Sequence, residues 1–389
     1  TATRQALLAA LCAGIILLEY QFFWPMPTRD ATLPTALYAL RQRDDVRAIF
    51  DVPHDHLLAA KDALYYQTAH EKPLIAGQLA RQTPVNPAKL RLLEMTLDPA
   101  LLQASGADLV LLHRARAAEI GRLDELQTRL QAQIGAPEYQ DERIALYRVP
   151  PAGEAALYMA SEAASAVDVY RADVYAPAPL WLDWRATLQA QDRHAVLRLN
   201  GLPFAQFTIA EALDYHFALP APGAGFYALE LRLDPPCPVA PSPALRCATL
   251  NVLRPEFTFA GNYVAVDGRF ANGARLLGIS APVVEDGTLV VRLHWQHDAA
   301  LGEDAIRYLH VGPSGSAPLA QSDIAPGPQP AGQIRTEIVR IPLGGVTPGV
   351  YPLRLGWYSY PSIAASELIE AGALQAAGAA LLLGEIRLP

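Results

Sequence analysis

His54-Asp55-His56 puts two imidazoles and a carboxylate into three consecutive residues, a donor set able to start a divalent-metal site if further ligands close the shell. His70 and His113 are the nearest further donors, and neither stands at motif spacing; the alternative is a solvated turn with Asp55 near a helix N-cap. Tyr65, Tyr66, His70 and Lys72 form the most polar, aromatic-rich stretch of the first 150 residues, either a ligand groove or a packed Tyr65 followed by a Lys72-Pro73 turn. Trp181 and Trp184 have the spacing of a surface that stacks on sugar rings, and a sandwich core would use the same residues. In His294-Trp295-Gln296-His297-Asp298 a metal or sugar platform competes with ordinary two-sided strand patterning. Gly312-Pro-Ser-Gly315 lacks the spacing of a nucleophile elbow, and no glycine-rich phosphate loop follows a predicted strand. Asp44-Asp45 and Glu303-Asp304 read as solvated turns, and calcium at Asp298, Glu303 and Asp304 is the lesser reading. No catalytic residue, metal or cofactor follows from these groups.

The elements that must position them change character along the chain. Up to residue 150 strand and helix signals alternate. Residues 46–52 read as a buried strand, 56–70 as a helix, 108–112 as a strand, 115–133 as a helix stopped by Gly135 and Pro137, and 144–149 as a last strand. That alternation predicts a small α/β unit. After Pro150-Pro151 come short alternating runs punctuated by Pro, Gly and Asp at about ten-residue intervals, as in antiparallel sandwiches. A boundary is placed near Pro255. Residues 364–380, rich in Ala, read as a loop or short helix.

Length and composition agree with several domains. The chain has 389 residues, 51% hydrophobic and 18% charged, which excludes wholesale disorder. Its 33 prolines argue against a helical bundle. The net charge is −8, of which −1 lies up to residue 150 and −7 beyond, opposite in sign to a nucleic-acid footprint.

Near the N-terminus Arg4 precedes an apolar run that extends through residues 6–24 with one charge, Glu19, and ends in Phe22, Phe23 and Trp24 before Pro25. A membrane span is predicted there, with the N-terminus cytoplasmic and the bulk of the chain outside. A cleaved signal peptide and a buried amphipathic helix are the rival readings. If the span holds, Cys237 and Cys247, flanking a proline-rich loop, face an oxidising compartment and pair as a disulfide, with two free thiols as the alternative. Cys12 is a small hydrophobe within the apolar run.

Phe50-Asp-Val-Pro53, Ala63-Leu-Tyr-Tyr-Gln-Thr-Ala-His-Glu-Lys-Pro-Leu74, Ala107-Asp-Leu-Val-Leu-Leu-His113, Ile134-Gly-Ala-Pro-Glu-Tyr-Gln-Asp141 and Pro348-Gly-Val-Tyr-Pro-Leu-Arg-Leu-Gly-Trp-Tyr358 together carry a resemblance. The chain resembles the extracytoplasmic C-terminal regions of polytopic GT-C, dolichyl-phosphate-mannose mannosyltransferase-like glycosyltransferases. The resemblance implies that residues 6–25 are a last membrane helix, and that sugar transfer from a polyprenyl-phosphate donor relies on an acidic loop near early membrane helices. No residue here corresponds to that loop, so no catalytic residue carries over.

The fold expected is multidomain α+β. A transmembrane helix occupies 1–27, a small α/β domain 30–150, and two antiparallel β-sandwiches, jelly-roll or immunoglobulin-like, 151–255 and 256–389. The function expected is an extracytoplasmic recognition or assembly module at the cell membrane, anchored in lipid through residues 6–24, with a glycan or membrane-protein partner. A glycosyltransferase with its catalytic core elsewhere, and a structural or accessory subunit, are the alternatives.

Overall fold

The computed structural model describes residues 10–18, 32–76, 86–161, 164–167, 169–190, 193–209, 212–234 and 250–388. Strand dominates over helix, 50% against 19%. The membrane span is the first correction. Within 6–24 the described residues are 10–18, all of them in a helix, α1. No described helix is long and apolar enough to cross a membrane. The fold class is therefore corrected to a mostly β chain of several sheets without a spanning helix among the described residues. The single-pass, extracytoplasmic placement that rested on the helix goes with it. Cys237 and Cys247 lie outside the described residues; among those described, Cys12 is a free, exposed thiol and no disulfide is present.

The first unit is a four-stranded sheet in the order β1-β2-β4-β3, from β1 (Ile49–Val52), β2 (Leu109–His113), β3 (Tyr139–Gln140) and β4 (Ile144–Arg148). β1 and β2 run parallel, and β4 and β3 are antiparallel. Every residue of β1 and β2 is buried because helices cover both faces. On one face α2 (Thr35–Leu40) and α3 (Leu57–His70) bring Leu37, Tyr66 and Ala69 onto Ile49, Leu109 and Leu111. On the other, α4 (Pro87–Thr96), α5 (Pro99–Ala104), α6 (Arg114–Glu119) and α7 (Leu123–Gln133) bring Leu92, Leu93, Leu126 and Leu130 onto Phe50, Val52 and Val110. Each such side chain contributes about 1.5–3 kcal/mol on burial. The helix read over 115–133 is two, parted at Gly121, whose φ of 71° turns the chain.

The next strands are β5 (Tyr158–Ser161), β6 (Ala164–Val167), β7 (Val169–Ala176), β8 (Leu180–Gln189), β9 (Arg193–Leu199), β10 (Leu202–Ile209), β11 (Leu213–Ala221), β12 (Gly225–Asp234) and β13 (Leu250–Phe270). One sheet orders β10-β9-β12-β7-β5; the facing sheet runs β11-β8-β13, and Trp184, Leu188, Leu197, Leu231 and Val252 fill the space between. After them come β14 (Ala274–Ser280), β15 (Val283–Glu285), β16 (Thr288–His297), β17 (Ala305–Val311), β18 (Ala320–Ile324), β19 (Ile334–Pro342), β20 (Gly349–Ser359), β21 (Ala364–Ala365), β22 (Leu368–Glu370), β23 (Gln375–Ala377) and β24 (Ala380–Leu388). Residues 364–380, read as loop or short helix, hold three short strands that pair β20, β13 and β24.

β13 belongs to both halves. Residues 251–262 pair with β8, and 263–269 pair with β14, which continues the sheet to β16. Arg254 and Pro255 form a bulge inside this strand, where the register shifts between Leu253 and Glu256. A second core, with Trp295, Trp357, Leu309 and Leu355, lies between β14-β16-β19 and the β18-β17-β20-β24-β23 sheet. Between the two sandwiches the outward faces of β8 and β16 meet. Trp181, Ala218 and Tyr263 pack there, and Arg292 donates to both oxygens of Asp183 at 2.8 and 2.6 Å. Gly278 lets the Tyr263 ring lie against the backbone, since a Cβ there would fall 2.2 Å from its hydroxyl.

Candidate functional site: a cleft between the α/β unit and the first sandwich

Convergent charged side chains line a cleft of about 820 Å³ where the α/β unit meets β5 and β7. One wall starts at the C-terminal end of β1. There the chain turns through His54 and Asp55 into α3, whose N-cap is His56, its Nδ1 accepting the Ala59 N–H. The two imidazoles of the His-Asp-His string therefore separate: His56 closes a helix end and His54 faces the cleft.

His54 meets Glu94, which α4 carries from 40 positions away. Asn86 caps α4 and Pro87 opens it, the usual start chemistry. The His54 backbone N–H donates to Glu94 Oε2 at 2.7 Å and its Nδ1 lies 2.8 Å from the same oxygen. Arg122 Nη1 holds Oε1 at 2.9 Å and stands 3.7 Å from Asp55. Burial pushes the Glu94 carboxyl up, but the two His54 hydrogen bonds and the Arg122 charge outweigh it, so the group titrates below its ordinary range. Arg129 donates to the carbonyls of Glu94 and Met95, fixing the end of α4.

The opposite wall comes from the sandwich. Arg91 on α4 grips Asp173 on β7 with Nε and Nη2, at 2.7 and 2.5 Å, and Asn86 donates to Asn200 and to the Phe226 carbonyl. Arg171 gives only Nε to Glu230, at 3.2 Å. Tyr158 stands at the rim, 37% exposed.

His54, Asp55 and Glu94 present donor atoms within 4.8 Å of one another. They do not fit a metal centre, because the Arg122 guanidinium already lies against two of the three and a divalent ion would have to sit beside it. Chemically the cleft offers hydrogen-bond donors held in place by carboxylates, next to an aromatic face.

The groups singled out from sequence are dispersed. Tyr65 is exposed on α3, while Tyr66 is buried and stacks on His113 at 5.3 Å. His113 Nε2 in turn lies 2.8 Å from the buried Asp51, whose carboxyl is pushed up by burial. His70 is fully buried, accepts the Lys72 N–H at Nδ1, and is lowered to about 4 by desolvation. Lys72 Nζ donates to the Arg43 carbonyl. The four do not line one groove. Trp181 and Trp184 are fully buried on opposite faces of β8, in different clusters, and neither offers a ring to solvent. His294 is buried against Tyr263, and His297 beside Trp357; burial holds both at about 4. Asp298, Glu303 and Asp304 are exposed and form no metal-holding group among the described residues.

His54 was legible in the sequence. Glu94, Arg91, Arg122, Arg129, Arg171 and Tyr158 were not, since they come from separate elements; the one available signal is Arg91 and Glu94 three apart on a helix.

No family model matches this chain, and no curated protein matches it. Matching solved structures include a Bacteroides uniformis β-glucuronidase 2 calcium-binding mutant, at 14% identity and a TM-score of 0.17 over 52% of this chain and 26% of that one. They also include a putative β-galactosidase from Bacteroides fragilis, at 10% identity and 0.17 over 53% and 32%. A β-glucuronidase from glycoside hydrolase family 2 matches at 7% identity and 0.18 over 54% and 24%. The chain thus spans about a quarter to a third of the length of these three structures. The resemblance to GT-C membrane glycosyltransferases is corrected: no family model supports it, and no described helix is long and apolar enough to cross a membrane.

Proposed function

We propose that this chain is a recognition or assembly module without a reaction of its own, and that its ligand, a glycan, sits in the cleft between the α/β unit and the first sandwich. The observation that carries the reading is the commitment of the cleft's ionisable groups to one another. Glu94 is taken by His54 and Arg122, and Asp173 by Arg91, so neither carboxylate is poised to move a proton. Among the described residues, what remains free is suited to binding: Nη1 of Arg91, both Nη groups of Arg171, and the Tyr158 ring. Guanidinium N–H groups donate to hydroxyls and an aromatic face packs against sugar C–H groups. The volume lies within the usual range of about 300–1,000 Å³ for ligand sites.

The test is calorimetric titration with a panel of neutral and acidic oligosaccharides, product analysis being run on the same mixtures. Binding by at least one member, weakened about tenfold by Tyr158→Ala or Arg171→Ala, with the sugar recovered intact, is the expected result. Turnover of any member, or binding that both substitutions leave unchanged, overturns the reading.

A further inference from the structure

A second cavity, of about 500 Å³, opens on the outward face of the β11-β8-β13 sheet, away from the cleft. Arg185, Thr187, Asp214, Tyr215, His216 and Arg254 line it. We propose that it is a binding site for a small organic anion carrying a carboxylate or phosphate group, held between the guanidinium groups of Arg185 and Arg254.

Three observations carry this. First, both arginines are exposed and neither has an ion-pair or hydrogen-bond partner among the described residues, in a chain where most cations are spoken for. Glu256 stands opposite Arg185 in the strand register and forms no ion pair with it. Second, the carboxylate that lines the cavity, Asp214, and the buried Asp183 are both engaged. Asp183 is gripped by Arg292 and lies 2.9 Å from His216 Nε2, and Asp214 accepts the Thr187 hydroxyl at 2.6 Å. Third, Arg254 is placed by a strained backbone. It has φ of 49°, costly for a residue with a Cβ, at the bulge before Pro255, and a bulge re-aims one side chain out of the strand's alternation. A planar carboxylate or a phosphate takes two parallel N–H bonds from each guanidinium.

The probes are citrate, glucose 6-phosphate, inorganic phosphate and, as a neutral control, glucose, titrated into the whole chain in a buffer of low ionic strength free of polyvalent anions. Citrate separates carboxylate recognition from phosphate recognition, and inorganic phosphate separates the bare anion from the phosphomonoester. At least one anion binds in the millimolar range or tighter and glucose does not; Arg185→Gln and Arg254→Gln each weaken binding about tenfold, and raising salt to physiological strength weakens it further. Because both side chains are exposed and unpaired, their removal leaves the melting temperature unchanged, so lost binding is not lost folding. Absence of binding by all three anions, glucose binding as tightly as they do, or a double variant that binds like the parent overturns the proposal. Binding here that survives Tyr158→Ala keeps this site distinct from the cleft.

Discussion

The two joints of this molecule use the same pair of side chains in different surroundings. Where the α/β unit meets the first sandwich, Arg91 grips Asp173 beside an open cleft, with the arginine side chain 34% exposed. Between the two sandwiches, Arg292 grips Asp183 with both side chains at 6% exposure or less. The bonds are alike in length, so their consequences differ through solvent alone. Water stands ready to replace either partner at the first joint, whereas at the second a lone survivor would be left in an apolar layer with Trp181 and Tyr263.

The largest expected effect follows from that layer. Arg292→Ala leaves Asp183 buried with only His216 for company and should cost about 3–5 kcal/mol, read as a lower denaturant midpoint at unchanged slope. If the loss is under about 1 kcal/mol, the second joint is as wet as the first.

Acid should act next, and more strongly on the sandwich side. His294 and His297 are buried with pKa held at about 4, below the unfolded value near 6.5. The unfolded chain therefore takes up protons first, and the stability these groups give above pH 6.5 is lost as pH falls from there through about 4. Asp183, also held below its ordinary range, adds a loss below about pH 4. A denaturation series from pH 7 to 4 should show steadily falling stability, and His294→Gln should flatten it by about one proton's worth. A profile flat over that interval would contradict neutral burial of these rings.

The smallest effect belongs to the open joint. Arg91→Ala should cost less than Arg292→Ala, about 1–2 kcal/mol, since Asp173, though only 11% exposed, lines the open cleft and is reached by water once released. Hydrogen exchange should quicken in α4 and β7 while β8 and β16 keep their protection. Quickening at all four elements would mean that the joints are coupled.

How far the sequence reveals such arrangements depends on the range over which each is set. The strand that became β1 and the helix that became α3 were readable because apolar spacing is local, although the cap of α3 is His56 and not the Asp55 expected from sequence. The break at Gly121 was not, as one positive φ is cheap for glycine and leaves the helical pattern on both sides intact. The short strands after residue 364 were missed because their Ala-rich composition carries little strand preference and pairing with β13, β20 and β24 supplies what composition lacks. The apolar stretch near residue 10 shows the opposite error, in which hydrophobicity was read as a span although no described helix is long and apolar enough to cross a membrane. At the cleft, His54 was visible in its string, but its partner Glu94 and the arginines around them become neighbours only through folding.

One strand has a mechanical meaning. β13 has 21 residues and, bent at its bulges, is woven into both sandwiches; even fully extended at about 3.3 Å per residue it could reach no more than about 70 Å. Neither half owns it, so a chain cut anywhere along it leaves one sandwich with a missing stave and the other with a dangling one. The two sandwiches are therefore best regarded as a single load-sharing body, in which tension applied to one half is handed directly to the other through backbone rather than through a hinge.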